Sequence, residues 1–226
     1  MAWERSAHGP RTNSADGVSP PCGRVGVLQQ LQRLSAGDTA LTALYLRDHR
    51  NGLGMNGSTD LARALVHNRV LTVLHLFWQS IGDEGASALA EALRLNSTLT
   101  HLHLERNAVG LPGATALARA IATKGFLKHL AYEDDYLGDQ GAQVLSLMLS
   151  STSSLTHLNL GGNSIGASGA AALASALQKN LSLTSLSLHG NRIGTRRGRR
   201  SGGRDGGREI KCDREQGRQG PCWRVN

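Results

Sequence analysis

The amino-acid sequence predicts an α/β solenoid, a row of stacked strand–turn–helix units. Three observations predict it: a hexamer that recurs six times, its near-constant spacing, and a block of helical period after it. The hexamers are Leu41-Thr-Ala-Leu-Tyr-Leu46, Leu71-Thr-Val-Leu-His-Leu76, Leu99-Thr-His-Leu-His-Leu104, Leu127-Lys-His-Leu-Ala-Tyr132, Leu155-Thr-His-Leu-Asn-Leu160 and Leu183-Thr-Ser-Leu-Ser-Leu188. Their starts lie 30, 28, 28, 28 and 28 residues apart. One unit cannot fold alone. Ordering its backbone costs roughly 1–2 kcal/mol per residue. A few Leu side chains return roughly 1.5–3 kcal/mol each, and only when fully buried. Stacked neighbours complete that burial.

Taken in order, residues 1–24 hold Pro10, Pro20 and Pro21 among polar residues, a composition that predicts disorder. Residues 25–36 read as a short helix that partly caps the first strand. Each hexamer alternates apolar and variable positions, the period of a strand. The block Ile81-Gly-Asp-Glu-Gly-Ala-Ser-Ala-Leu-Ala-Glu-Ala-Leu93 returns after the third and fifth hexamers, and Ala86, Leu89, Ala90 and Leu93 share one helical face. Asp83 and Asp139 stand where an N-cap acceptor is expected, and Pro112 suits a first helical turn. The solenoid is expected over 25–194. After Asn191-Arg-Ile-Gly194 the period stops, and residues 195–226 form a basic Gly/Arg-rich tail expected to be disordered.

Composition narrows the function. Aromatic residues are 4% of the chain, which fits small Leu/Ala layers better than one large core. No stretch approaches the roughly 18 apolar residues of a membrane span. The first ten residues lack an apolar segment, so a cytoplasmic location is the expectation. Cys22, Cys212 and Cys222 show no metal-ligand spacing. Of the sequons at Asn56, Asn96 and Asn180, two fall in the turn before a strand and arise from the repeat itself. Of the net charge of +8, residues 195–226 contribute +6, from ten Lys/Arg against four Asp/Glu. The body is therefore nearly neutral.

The pattern LxxLxLxxN followed by a Gly/Ala-rich helix resembles the leucine-rich-repeat family, and in particular its 28-residue ribonuclease-inhibitor-like type. That type also builds the repeat domains of NOD-like receptors and Ran GTPase activators. The resemblance covers residues 41–194 and implies a horseshoe with parallel strands on the concave face and helices on the convex face. It also implies an asparagine at the ninth position that bonds adjacent turns. Asn107, Asn163 and Asn191 match it, Gln79 and Asp135 replace it, and Asn51 comes two residues late.

In that frame the third and fifth positions of each hexamer face the concave side, and the seventh and eighth extend it. The expected partner-binding residues are Tyr45, His75, Phe77, Trp78, His101, His103, Glu105, His129, Glu133 and Asp134. Phe77 and Trp78 cannot both enter the core at one strand end, and exposed aromatics ringed by charge mark interaction hot spots. His101, His129 and His157 align in a column, but an open face lacks the second shell that orients metal ligands, so neither metal nor other cofactor is expected. Glu133, Asp134 and Asp135 read as a solvated acidic patch. No phosphate loop and no nucleophile–base–carboxylate set is legible. The sequence thus predicts a monomeric, non-catalytic protein-binding module. Two alternatives remain open. One is a small-GTPase activator of the Ran type, using Arg50 in the two-residue insertion of the first unit. The other is weak nucleic-acid binding by the basic tail, where Trp223 is the lone aromatic.

Overall fold

A computed structural model describes residues 24–47, 52–123, 126–194, 209–212 and 223–225. Helix α1 (Arg24–Ser35) leads into β1 (Ala43–Arg47), α2 (Gly54–His67), β2 (Val73–Phe77) and α3 (Gly82–Leu95). The alternation continues through β3 (His101–His103), α4 (Leu111–Thr123), β4 (His129–Ala131) and α5 (Gly138–Ser151). It then runs through β5 (His157–Asn159), α6 (Ala167–Lys179) and β6 (Ser185–Ser187). Strands β1 to β6 pair in chain order and in parallel, with Leu44, Leu74, Leu102, Leu130, Leu158 and Leu186 in register.

The core lies between this sheet and the helices. Each hexamer buries its first, fourth and sixth residues, as Leu71, Leu74 and Leu76 do in β2 and its approach. The helices meet them with Leu89 and the small residues Ala86 and Ala90. Small side chains are required. A Cβ on Gly113 would sit 2.5 Å from Val109 and 2.9 Å from Ala86, so α4 packs its backbone directly on the neighbouring layer. Helix α1 closes the first layer with Val27, Leu31 and Leu34.

Two side-chain ladders tie the units together. At the helix-to-strand turn, Asn68 accepts from Val70 and Leu71. Asn96 and Asn180 repeat this and also donate to the carbonyls of the preceding unit, at Leu65 and Leu149. The Asn96 and Asn180 sequons are therefore buried structural amides, in keeping with their origin in the repeat. The second ladder is the ninth-position column. Gln79 N–H donates to Asn107, Asn107 N–H to Asp135, Asp135 N–H to Asn163 and Asn163 N–H to Asn191.

Two expectations need correction. Asp83 and Asp139 do not cap their own helices. Asp83 Oδ1 accepts from Gly110 and Gly113 at the start of α4, and Asp139 Oδ1 from Gly166 and Gly169 at the start of α6. Stacking brings one unit's carboxylate closer to the next unit's free N–H groups than to its own. The tail, secondly, is not wholly unstructured. Strand β7 (Glu209–Cys212) pairs antiparallel with β6, and β8 (Trp223–Val225) with β7. A terminal strand leaves unpaired N–H and C=O groups that recruit any extended segment. Residues 209–212 and 223–225 include the tail's few β-favouring residues, with Ile210 in register with Leu186 and Val225. The rest of the tail, residues 1–23 and Asn51 lie outside the described residues.

Candidate functional site

At the C-terminal ends of β2 to β5 the backbone turns through two left-handed residues, one on either side of the ladder position. Trp78 and Ser80 take φ of 56° and 52°, Arg106 and Ala108 56° each, and Asp134 and Tyr136 55° and 58°. Such a conformation costs roughly 1–2 kcal/mol per non-glycine residue. The buried ladder side chain holds the turn in place, while its two neighbours are thrown outward. Side chains at positions 78, 106, 134 and 136 are therefore displayed at the strand ends by backbone geometry, and Trp78 is 36% and Tyr136 83% exposed.

The displayed residues join into a strip. Arg47 stacks over Phe77 at 4.6 Å, and Phe77 lies nearly parallel to Trp78 with ring centres 5.8 Å apart. Arg106 covers Trp78 at 5.4 Å and donates to Asp134 at 2.9 Å. Cation–π contacts of this kind hold aromatic rings at a surface without burying them. Tyr45, 43% exposed, stands beside the strip on β1.

Behind it the concave sheet carries two columns of stacked rings. Tyr45, His75 and His103 are in register, with ring centres 4.7 and 3.7 Å apart. His101, His129 and His157 stack at 4.1 and 4.0 Å. Parallel-strand spacing forces this contact, since identical positions on neighbouring strands lie about 4.8 Å apart. Stacking half-buries the rings. Burial, followed by the neighbouring imidazoles, pulls His75 and His129 down to about 4. Burial also lowers His101 and His157. At neutral pH these four rings are uncharged. Among the described residues, no three His, Cys, Asp or Glu side chains are grouped to hold a metal ion.

The acidic residues differ from the expected solvated patch. Glu105 pairs with His103 at 3.2 Å. Glu133 accepts from Asn159 and faces His189 at 4.0 Å, and burial raises its carboxyl above the usual range. Asp134 is tied to Arg106. Asp135 is only 4% exposed, because it is a ladder residue and not a surface one.

Glu133 belongs to the fourth unit and His189 to the sixth. They meet because Gly161 lies between them, where a Cβ would fall 2.1 Å from the imidazole. Ser187 Oγ lies 2.9 Å from His189 Nδ1, which completes a Ser–His–Glu line. It lacks the geometry of a nucleophile. Ser187 is 6% exposed beneath the imidazole, and the adjacent N–H groups of Gly161 and Gly162 already donate to Asn159 and His189.

The structure thus gathers Tyr45, His75, His103, Glu105, Phe77, Trp78 and Asp134 around the strip, with His101 and His129 in the second column and Glu133 beyond. Sequence reasoning did not single out Arg47, Arg106, Tyr136 or His189 as site residues. Their signal was present in the repeat columns, but left-handed turn geometry is what displays Arg106 and Tyr136. Arg50 lies outside the described residues. Among the described residues, no helix is long and apolar enough to cross a membrane.

Comparison with known proteins fits this architecture. The sequence model described as Leucine Rich repeat matches residues 67–90, 95–118 and 152–174. No curated protein sequence gives a significant match. Among solved structures, one titled Leiomodin-1 Actin-Binding Site 2 is similar with a TM-score of 0.58 at 21% identity, covering 67% of this chain and 87% of its own. The tropomodulin C-terminal domain of Caenorhabditis elegans gives 0.57 at 19% identity, covering 68% of this chain and 92% of its own.

Proposed function

We propose that this chain, a leucine-rich-repeat protein, is a non-catalytic module that holds a partner protein against its concave sheet and strand-end turns. The observation that carries the reading is the continuous strip from Arg47 through Phe77, Trp78 and Arg106 to Asp134, with Tyr45 alongside. Its aromatic rings are held rigid by cations and partly exposed. A partner covering them gains apolar contact without first paying to order them, which is the economy of a hot spot. The polar imidazole columns behind the strip give a flat floor, uncharged at the four rings whose titration is lowered.

One of the similar structures is an actin-binding site of leiomodin-1, so actin is the first partner to try, followed by pull-down from cell extract with the full chain. Trp78→Ala and Glu133→Ala are each expected to weaken capture about tenfold or more, with circular dichroism unchanged. Equal capture by both folded variants and wild type would remove the concave-face assignment. The reading further places a monomer in the cytoplasm.

A further inference from the structure

The ninth-position ladder has one member that breaks its own hydrogen-bonding rule. Asn107 donates through Nδ2 to the carbonyls of Leu76 and Glu105. Asn163 donates to Tyr132 and Gly161, and Asn191 to Leu160, Leu188 and His189. Asp135 occupies the same position one unit after Asn107. Its Oδ1 does what an asparagine oxygen does, accepting from Asn107 N–H at 2.8 Å and Val109 N–H at 3.4 Å. Its Oδ2 is buried without a hydrogen-bond partner. The repeat register places the carbonyls of Leu104 and Glu133 where an amide nitrogen would donate. A carboxylate oxygen at that place faces those carbonyls without a donor of its own, and a buried charge facing acceptors is strongly disfavoured. A protonated carboxyl can donate instead.

We infer that Asp135 is a proton latch: with Oδ2 protonated it closes the ladder onto a backbone carbonyl, and on ionising it loosens the turn at 133–137. That turn carries Glu133, Asp134 and Tyr136 at the strand-end surface, but the inference stands whether or not a partner docks there. Among the described residues, no cation forms an ion pair with the carboxyl. Glu105 and Arg106 flank Asn107 on the preceding turn, and Arg106 is held by Asp134 at 2.9 Å. Glu133 and Asp134 flank it on its own turn. Tyr132 lies on the core side and donates to Val109 O at 2.7 Å, with Asp83 nearby. The next turn supplies Gly161 and Gly162, which carry no charge. Burial, opposed by the N–H groups on Oδ1, pushes the Asp135 carboxyl up to about 7.

The direction of the effect follows. The folded chain keeps a proton that the unfolded chain gives up near the ordinary 3.8. The latch contributes fully below that value, and its contribution is lost as pH rises through about 7. The lowered histidines act in the opposite sense and only below about 6.5, so a window of about pH 6.5 to 8.5 excludes them, and the Asp135→Asn comparison separates the latch from the raised carboxyl of Glu133.

The test is the thermal midpoint of the full chain across that window, for wild type and Asp135→Asn. Asparagine supplies the missing donor and cannot ionise. The expected result is a wild-type midpoint that falls by roughly 2–3 °C between pH 6.5 and 8.5, and a variant midpoint that stays level and lies above it there. A variant with the wild-type slope overturns the latch, and so does a wild type without a slope. Carbon-13 NMR of the Asp135 carboxyl in wild type gives a reading independent of any variant. Titration close to neutrality supports the inference, and an ordinary acidic value overturns it.

Discussion

Asp83 shows how much one carboxylate can do when the repeat hands it to a neighbour. Oδ1 takes both Gly110 N–H at 2.7 Å and Gly113 N–H at 3.0 Å, two of the free donors at the start of α4. A carboxylate at a helix N-terminus also meets the positive end of the helix dipole. Asp83→Ala is therefore expected to destabilise the protein by about 1 kcal/mol in chemical denaturation. Hydrogen exchange should rise at the α4 start, at Gly110 and Gly113, and not within α3, which houses the mutation. Loss of protection in α3 with α4 unchanged would mean that the capping runs within a unit after all.

At the scale of the element, the imidazole columns are a property of the sheet and of no single strand. Parallel pairing in exact register places equal side chains face to face, so a histidine in one unit finds a histidine in the next. Burial within the stack, and after it the charge of the neighbouring imidazoles about 4 Å away, pulls His129, in the middle of its column, down to about 4. Folded-state values below the ordinary 6.5 mean that the unfolded chain takes up protons first as pH falls. This stability is fully present above 6.5 and lost as pH falls toward about 4. Thermal midpoints should accordingly drop on acidification below 6.5. Replacing His101, His129 and His157 together by Gln should flatten that drop while leaving the midpoint at neutral pH within a few degrees. An unchanged acid slope in the triple variant would assign the loss to other groups.

For the whole molecule, packing runs between adjacent layers, His189 reaching Glu133 over Gly161 being an exception, and damage at one end should stay there. Strands β7 and β8 extend the sheet beyond β6 and cover its edge. Deleting residues 195–226 is expected to speed amide exchange in β6 and the turn after it, and to leave β2 to β5 protected. The midpoint should move little, because the central layers keep both neighbours. Unfolding of the entire array on deletion would show that the added strands stabilise the solenoid globally.

The period of 28 residues determined the fold by itself, because one hexamer and one helical block can bury their leucines only against copies of themselves. It also fixed which columns face the concave side, since a strand alternates its side chains and the parallel register repeats them. The residues proposed as contacts were chosen from those columns. What the sequence left open are relations across units. Asp83 caps the next helix, His189 reaches Glu133 over Gly161, and Asp135 faces carbonyls where an asparagine would face them with a donor. Each depends on residues distant in sequence: Asp83 and Gly110 lie 27 residues apart, Asp135 and Leu104 31, and His189 and Glu133 56, and stacking brings them together. Tertiary structure alone also decided which acidic residue at 133–135 is a surface charge and which is a buried acid. Alternating left-handed residues turn Asp134 outward and hold Asp135 in, and that sense of rotation is set by the ladder it joins.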